Sequence, residues 1–331
     1  EGEPEQLGES DDWLVEWKWD GIRCQLVKRA GDVWLWSRGE ELIMESFPEI
    51  VQAGNRLPDG TVVDGEILAW QGLADADEFP LPGYDQKGDY EAVGHPMNFN
   101  QLQRRIGRKK VGKKLLSEVP ARLLAFDLLE FQGKDIRSEP TIRRADMLAE
   151  LLRRAHSGNI SRSPHQTGNW QQLSELRQTS RQRGVEGFIL KRASAPYQVG
   201  RVKGDWWKWK VDPYSVDAVL IYAQAGHGRR SNLYTDYTFA VWQEKELVPI
   251  AKAYSGLTDK EIQELDRWIR KHTRERFGPV RSVEPEYVFE LAFEGIAASS
   301  RHKSGIAVRF PRIQRWRRDK NAAEADTLQQ V

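Results

Sequence analysis

Hydrophobic and polar positions alternate near the beginning of the chain, which predicts a β-strand. Trp13, Val15 and Trp17 fall on one side of the alternation, and Glu16 and Lys18 fall on the other. This is the period of two that is typical of a strand. The Asp-Gly pair at 20–21 predicts a turn and residues 22–27 predict a second strand, so the segment has the pattern of a hairpin. Lys18 is therefore expected at the end of a strand, on the same face as Glu16.

Further apolar segments predict a mixture of strands and helices up to about residue 211. Strands are expected at 33–37, 61–70, 121–131 and 187–192, and helical spacing predicts helices at 99–106, 142–155 and 170–182. The segment 71–98 is rich in Gly, Pro and Asp and predicts a long insertion loop. This order of elements predicts an α+β domain, residues 1–211, that is built on antiparallel sheets.

The pattern changes after Pro213, where short strands alternate with polar turns. Strands are expected at 216–223, 237–243, 248–254, 288–294 and 307–311. Thr258 and Glu261 form a capping box before a helical pattern, and Gly278-Pro279 predicts the end of that helix. About five strands and one helix fit a small Greek-key barrel of the OB type over residues 212–331, although a small sandwich would give the same order.

Composition narrows the class of protein. The 331 residues suffice for two hydrophobic cores, and 39% hydrophobic with 30% charged residues is a globular composition. No apolar run approaches the length of a membrane span and no signal peptide is visible. The single cysteine, Cys24, excludes an internal disulfide framework, so we expect a cytoplasmic protein, or a nuclear one in a eukaryote. The chain begins at Glu1 without a methionine, as a fragment of a longer protein would.

The net charge of +1 conceals patches of one sign. Residues 1–12 contain acids and no base, whereas 301–320 is basic with Asp319 as its only acid. Another basic run contains no acid and consists of Arg104, Arg105, Arg108, Lys109, Lys110, Lys113 and Lys114. Local positive patches on a nearly neutral protein suit a polyanion such as nucleic acid, and a solvated surface is the alternative.

Charged residues on other predicted strands complete a candidate site around Lys18. Asp64 and Glu66 are two positions apart on one strand and share a face, and Glu186 precedes an apolar strand. The cations of the set are Arg23, Arg38, Lys208 and Lys210. Each residue alone fits an ordinary surface position. Together they suit phosphoryl or nucleotidyl transfer, because carboxylates hold divalent metals and cations neutralise phosphate. The chain has neither a P-loop nor a Gly-x-Gly-x-x-Gly fingerprint.

The order of these pieces resembles the ATP-dependent DNA ligases, within the superfamily of covalent nucleotidyltransferases. The resemblance covers about 13–320 and rests on the following motifs: Glu16-x-Lys18-x-Asp20-Gly21-x-Arg23, Ser37-Arg38-Gly39-Glu40, Asp64-Gly65-Glu66, Phe126-Asp127, Glu186-Gly187-Phe188-Ile189-Leu190-Lys191, Lys208-Trp209-Lys210, and Arg309-Phe310-Pro311-Arg312 with Arg317-Arg318-Asp319-Lys320. It implies a nucleotidyltransferase domain of ATP-grasp-like antiparallel sheets with helices, followed by an OB-fold barrel.

The resemblance also implies a reaction. Lys18 would attack the α-phosphate of ATP, AMP would pass from lysine to the 5′-phosphate of a DNA nick, and the 3′-hydroxyl would displace AMP. The first step requires an unprotonated amine, which nearby cations favour. The implied partners are ATP as AMP donor, Mg²⁺ or Mn²⁺, and nicked duplex DNA bound by a monomer, in repair or replication.

Individual roles follow from the matched positions. Glu16 would accept from the adenine amino group, Phe126 would stack on the base, and Glu66 would contact the ribose or a metal-bound water. Glu186 would hold the metal, with Glu66 as a second acid. The implied phosphate contacts are Arg23, Arg38 for the 5′-phosphate of the nick, Lys208 and Lys210 for the α-phosphate, and Arg317 and Lys320, with Asp319, from the second domain.

Two departures and two alternatives accompany this interpretation. Trp17 and Trp19 flank the lysine where many relatives have tyrosine or a smaller residue, and we expect them only to pack. Larger family members carry an additional N-terminal DNA-binding domain, and the residues before Trp13 are too few to form one. The alternatives are an RNA ligase or GTP-using capping enzyme and, in another class, a non-catalytic nucleic-acid-binding module with a Trp-rich surface.

Overall fold

A computed structural model describes residues 4–72, 94–200, 202–226, 228 and 231–331. The chain divides into two compact units, Glu1–Val211 and Asp212–Val331. No helix in these described ranges is long and apolar enough to cross a membrane.

The first unit contains two sheets. Its strands are β1 Trp13–Trp17, β2 Ile22–Arg29, β3 Asp32–Ser37, β4 Thr61–Gln71, β5 His95–Pro96, β6 Ala121–Phe131, β7 Lys134–Asp135, β8 Ile160–Arg162, β9 His165–Gln166, β10 Gly187–Arg192 and β11 Trp206–Lys210. Sheet A has the order β11-β10-β1-β9, and sheet B has the order β3-β2-β4-β6-β7, with β5 beside β4 and β8 parallel to β6. All other pairs are antiparallel, which confirms the predicted α+β class.

The predicted hairpin across Asp20-Gly21 is wrong. β1 pairs with β10 and β9 in sheet A, whereas β2 pairs with β3 and β4 in sheet B. All five residues of β1 are buried, which suits a central strand rather than the edge of a hairpin. Gly21 carries the chain between the sheets, where a Cβ would lie 2.2 Å from the carbonyl oxygen of Ile67. The Asp-Gly pair therefore makes a crossing between sheets that only glycine fits.

The two faces of sheet A differ in character. One face packs into a tryptophan-rich core that includes Trp13, Trp17 and Phe188. On the other face Glu16 lies opposite Ile189, and Ile189 lies opposite Lys208. Directly opposed residues of antiparallel strands share a face. Sheet A therefore has a polar face, which carries Glu16 and Lys208, on the side opposite the tryptophan-rich core.

The described residues of the first unit also form five α-helices. They are α1 Pro48–Gly54, α2 Phe99–Gln103, α3 Lys113–Glu118, α4 Thr141–Ala155 and α5 Trp170–Gln178. The prediction for 142–155 is confirmed within one residue, whereas the helices expected at 99–106 and 170–182 end earlier in turns. α3 was missed because its two apolar residues, Leu115 and Leu116, directly follow a run of lysines and show no helical period. Of the predicted loop 71–98, residues 73–93 lie outside the described residues, and β5 returns the chain to β4.

The second unit is built around one curled sheet. Its strands are β12 Tyr214–Ala225, β13 Tyr234–Gln243, β14 Glu246–Ala253, β15 Thr273–Phe277, β16 Val280–Val283, β17 Val288–Phe293, β18 Gly295–Ala298, β19 Ile306–Arg309 and β20 Arg312–Trp316. The order is β14-β13-β12-β16-β15, and β17 joins β12 to β20. β18 pairs only with β19 in a separate ribbon. Register shifts bend β12, β13 and β14.

The single predicted helix of this unit is confirmed as α6 Asp259–Lys271. Thr258 accepts from the Glu261 amide and the Glu261 side chain accepts from the Thr258 amide, as the capping box predicts. Its predicted end at Gly278-Pro279 is wrong, because the helix ends at Lys271 and these residues turn β15 into β16. Strands β15, β16, β18 and β20 were not predicted, since charged residues interrupt their alternation or the strands are short.

Candidate active site

Lys18 is held where β1 ends by backbone hydrogen bonds to β10. Its amide donates to the Gly187 carbonyl at 2.7 Å, and its carbonyl accepts from the Glu186 amide at 2.9 Å. Its ammonium forms an ion pair with the Glu186 carboxylate, and the two side chains are only 19% and 17% exposed. The structure therefore joins the predicted nucleophile directly to one of the predicted metal ligands.

A second acid approaches Lys18 from sheet B. Glu66 lies on β4 opposite Arg23 of β2. Burial raises the pKa of Glu66 to about 8, against the opposing influence of the Lys18 and Arg23 charges. A buried carboxylate that binds its proton so tightly lacks enough positive charge around it. Glu66 and Glu186, both oxygen donors close to Lys18, thus fit the hard divalent cation that the sequence predicted.

Arg23 is fixed by a buried network. Its Nη2 donates to Asp64 Oδ2 at 2.7 Å and to the Tyr197 hydroxyl at 3.1 Å, and that hydroxyl donates to Asp64 Oδ2 at 2.8 Å. Burial alone would lower the pKa of Arg23, but the hydrogen bonds to fully buried Asp64 outweigh it and raise the pKa. Asp64 thus orients a permanent cation, and Tyr197 is a site residue that the sequence did not reveal.

Glu16 belongs to a buried cluster that joins the two sheets. Its carboxylate is 3.0 Å from Lys191 Nζ and 3.1 Å from His165 Nε2. Lys191 also donates to the Phe126 carbonyl at 2.9 Å and lies 4.4 Å from the centre of that ring. Burial would raise the pKa of Glu16, yet Lys191 and His165 lower it, so the acid is anionic. The structure therefore brings Glu16 and Phe126 together.

Lys191 and His165 were missed as site residues. Lys191 is the last residue but one of the apolar strand β10, and the period of two from Ile189 could have placed its side chain on the polar face. His165 lies on β9, a strand of two residues with no sequence pattern of its own. Only its pairing with Glu16 reveals its position.

The other cations that the sequence predicted for the site in the first unit, Lys208, Lys210 and Arg38, lie in the same region. Lys208 and Lys210 lie opposite Ile189 and Gly187 and share one face of β11. Burial and then the charges of Lys18 and Arg38 lower the pKa of Lys208. The Arg38 amide donates to the Arg23 carbonyl at 3.2 Å, and both side chains line a cleft of about 870 Å³.

Arg317 and Lys320 lie in the second unit, where both bind one buried carboxylate. Arg317 Nη1 and Lys320 Nζ are 2.6 and 2.7 Å from Asp217 Oδ2, and Arg317 also pairs with Asp319 at 2.7 Å. These hydrogen bonds raise the pKa of both cations. Asp217, on β12, was not predicted, and the sequence separation of about a hundred residues hid this contact.

The two sheets together bring an amine close to two acids and several cations, which are the groups that nucleotidyl transfer requires. The first unit, which carries this site, is followed by a small β-barrel. The two units together define a nucleotidyltransferase domain and an OB-fold domain. The ATP dependent DNA ligase domain matches residues 5–79 and 89–210, and the ATP dependent DNA ligase C terminal region matches 230–320. The chain belongs to the ATP-dependent DNA ligase family.

Individual relatives agree with this assignment. A probable DNA ligase of Koribacter versatilis is 36% identical over 99% of this chain and 57% of its own length. DNA ligase 1 of Korarchaeum cryptofilum is 31% identical over 99% of this chain and 56% of its own length. The chain thus spans a little over half the length of these two relatives. A solved structure from an analysis of Lig E DNA ligases shares the fold, with a TM-score of 0.65, 18% identity, and coverage of 96% of this chain and 97% of that one.

Proposed function

We propose that this protein is an ATP-dependent DNA ligase that seals nicks between a 5′-phosphate and a 3′-hydroxyl. The observation that carries the proposal is the position of Lys18, which the sheet holds beside Glu186, near Glu66 and near the cations Arg38 and Lys208. A non-catalytic DNA-binding module would not need an amine between two partly buried acids.

In the first step the Lys18 amine attacks the α-phosphorus of ATP. A nitrogen–phosphorus bond forms, the bond between the α-phosphorus and the bridging oxygen breaks, and pyrophosphate leaves. Lys18 must first release the proton of its ammonium to solvent, because only the neutral amine is a nucleophile. Lys208 and Lys210 bind the α-phosphate and stabilise the charge that develops there.

The residues around the nucleophile fit a divalent cation, which would be held by Glu66 and Glu186. When bound, it would neutralise part of the phosphate charge. Mg²⁺ and Mn²⁺ both prefer such oxygen donors.

The cluster that joins the two sheets, which includes Glu16 and Phe126, recognises the adenine base of ATP. Phe126 stacks on adenine, and anionic Glu16 accepts from its amino group, which discriminates against the carbonyl of guanine. Arg23, oriented by Asp64, contacts the nucleotide. Arg317 and Lys320 of the second unit orient the departing pyrophosphate.

In the later steps AMP passes to the 5′-phosphate of the nick, which Arg38 binds, and the 3′-hydroxyl then displaces AMP. The substrate is nicked duplex DNA, so we place the protein in the cytoplasm with the genome, acting as a monomer in repair or replication. The family match is to DNA ligases, and no observation favours an RNA ligase or a capping enzyme.

The test is to incubate the protein with α-labelled ATP and either Mg²⁺ or Mn²⁺, then to supply a nicked duplex. We expect a labelled protein band and then a sealed strand. Lys18→Ala should give neither, whereas Lys134→Ala, which alters an exposed lysine, should give both. The absence of a labelled band from the wild type would refute the proposal. A band with GTP alone would indicate a capping-type enzyme.

A further inference from the structure

The basic run at 104–114, here called the basic segment, contains one arginine with a structural role. Arg105 is fully buried and donates to the Ser46 carbonyl at 3.0 and 2.7 Å and to the Val119 carbonyl at 2.8 Å. Its guanidinium also pairs with Glu49 at 2.7 Å. Together with buried Val111, it anchors the segment to the first unit. The backbone that carries the other cations is therefore fixed.

The other cations of the basic segment project into solvent. Arg108, Lys109, Lys110, Lys113 and Lys114 are all exposed. Lys114 has a distant carboxylate partner, Glu118 at 3.8 Å, and Arg108 donates to a backbone carbonyl. Within the described ranges, no ion pair neutralises Lys109, Lys110 or Lys113. A surface that only needed solubility would intersperse charges of both signs.

The basic segment is continuous with the candidate active site. Arg108 and Lys109 line a groove of about 260 Å³ together with Ser37. Ser37 also lines the larger cleft that contains Arg23 and Arg38. A chain of phosphates that passes Arg38 could therefore continue along the groove to the lysines.

We propose that residues 108–114 bind the phosphates of the duplex that flanks the nick. This inference rests on the proposed function, and it adds a DNA-binding surface outside the nucleotide site. Duplex DNA is the partner that fits several exposed cations on an anchored backbone, three of them without an ion pair among the described residues, because each phosphate contact releases condensed counterions. Such contacts hold the duplex in position without reading its sequence.

The test compares the wild type with the triple variant Lys109→Ala, Lys110→Ala, Lys113→Ala. Binding to a nicked duplex with a 5′-phosphate is measured by fluorescence anisotropy, without ATP or metal, over a series of NaCl concentrations. Each lost phosphate contact should reduce the slope of log K against log salt by about 0.9. For three contacts, the affinity lost between about 50 and 200 mM salt should be roughly fortyfold smaller in the variant.

Two controls separate this surface from the rest of the enzyme. Arg153→Ala with Arg154→Ala removes two exposed cations of α4 that pair with Glu150, and it should leave the slope unchanged. Self-adenylation of the triple variant should match the wild type within about twofold, because nothing at Lys18 changes. A wild-type slope in the triple variant, with unchanged thermal stability, overturns the inference, and so does equal weakening by the α4 control. If the triple variant shows a reduced slope but the wild type never becomes adenylated, residues 108–114 bind DNA and the proposed ligase activity is refuted. Stronger dependence on the lysines for a nicked RNA duplex than for DNA would overturn the choice of DNA.

Discussion

The candidate active site and the basic segment use the same residue types in opposite ways. Lys18, Arg23 and Lys191 are each held by a carboxylate, from Glu186, Asp64 and Glu16 respectively. In the basic segment, Lys109, Lys110 and Lys113 have no such partner within the described residues. A cation that an acid holds in position can contact one particular atom of a substrate. Surface cations without such a partner attract a polyanion through their combined charge.

The physical basis of this difference is solvation. A buried charge needs a partner, because the interior compensates poorly for lost water, and the partner then fixes its position. An exposed lysine keeps its water and its flexibility, and salt screens it. The second unit also contains cations that are held by a buried acid. There, one carboxylate oxygen of Asp217 binds both Arg317 and Lys320.

The largest effect is expected within the basic segment itself. Arg105→Ala should lower the free energy of unfolding by about 3–5 kcal/mol, because it leaves Glu49 and two carbonyls without their buried partner. Lys109→Ala should change it by less than about 0.5 kcal/mol. Urea denaturation of both variants is the measurement. Equal effects would remove the distinction between the buried and exposed cations of this segment.

Glu66 makes a pH-dependent prediction. Its pKa is about 8 in the folded protein against an ordinary 4.5, so between these pH values the folded state holds a proton that the unfolded state has released. The free energy of unfolding should therefore decrease as pH rises from 4.5 to 8, by about 4 kcal/mol from this group. Denaturation across that range should show a flatter profile for Glu66→Gln.

The control for this pH effect is Glu45→Gln, which removes an exposed acid. Its profile should run parallel to that of the wild type. Parallel profiles for Glu66→Gln and the wild type would mean that Glu66 is ionised in the folded protein and does not lack positive charge.

Asp217→Asn tests whether an acid that fixes cations matters for the reaction. The variant keeps the shape but removes the charge that holds Arg317 and Lys320, so self-adenylation at Lys18 should slow by about tenfold. Asp236→Asn, which breaks a pair with Lys252 on the same unit, should not slow it. Single-turnover rates against ATP concentration measure the effect. An unchanged rate with intact folding would limit Asp217 to a structural role.

The smallest effect is expected from salt on the first step. Between about 50 and 200 mM NaCl, self-adenylation should change by no more than about twofold, because buried pairs are screened weakly. DNA binding over the same range should fall by orders of magnitude. If adenylation fell in parallel with DNA binding, the active-site cations would be as accessible to salt as those of the surface.

The sequence predicted elements well where local patterns suffice. The capping box at Thr258 gave the beginning of α6, and the amphipathic pattern of α4 gave that helix within one residue, because both depend on neighbours along the chain. Pairing was predicted less well. The Asp-Gly turn after Lys18 has a hairpin sequence but crosses between sheets, since the buried side chains of β1 require neighbours on both sides.

The order of the motifs and the family could be read from the sequence, and Lys18 could be predicted as the nucleophile, because residue type and spacing carry that information. Only the tertiary structure decided which charges are paired. Several of these hydrogen bonds join residues that are distant in sequence: Glu16 with Lys191 and His165, Asp64 with Tyr197, and Asp217 with Arg317. The fold also distinguishes Arg105, which is buried, from its exposed basic neighbours. Burial depends on the folded chain, so a run of basic residues in the sequence does not reveal it.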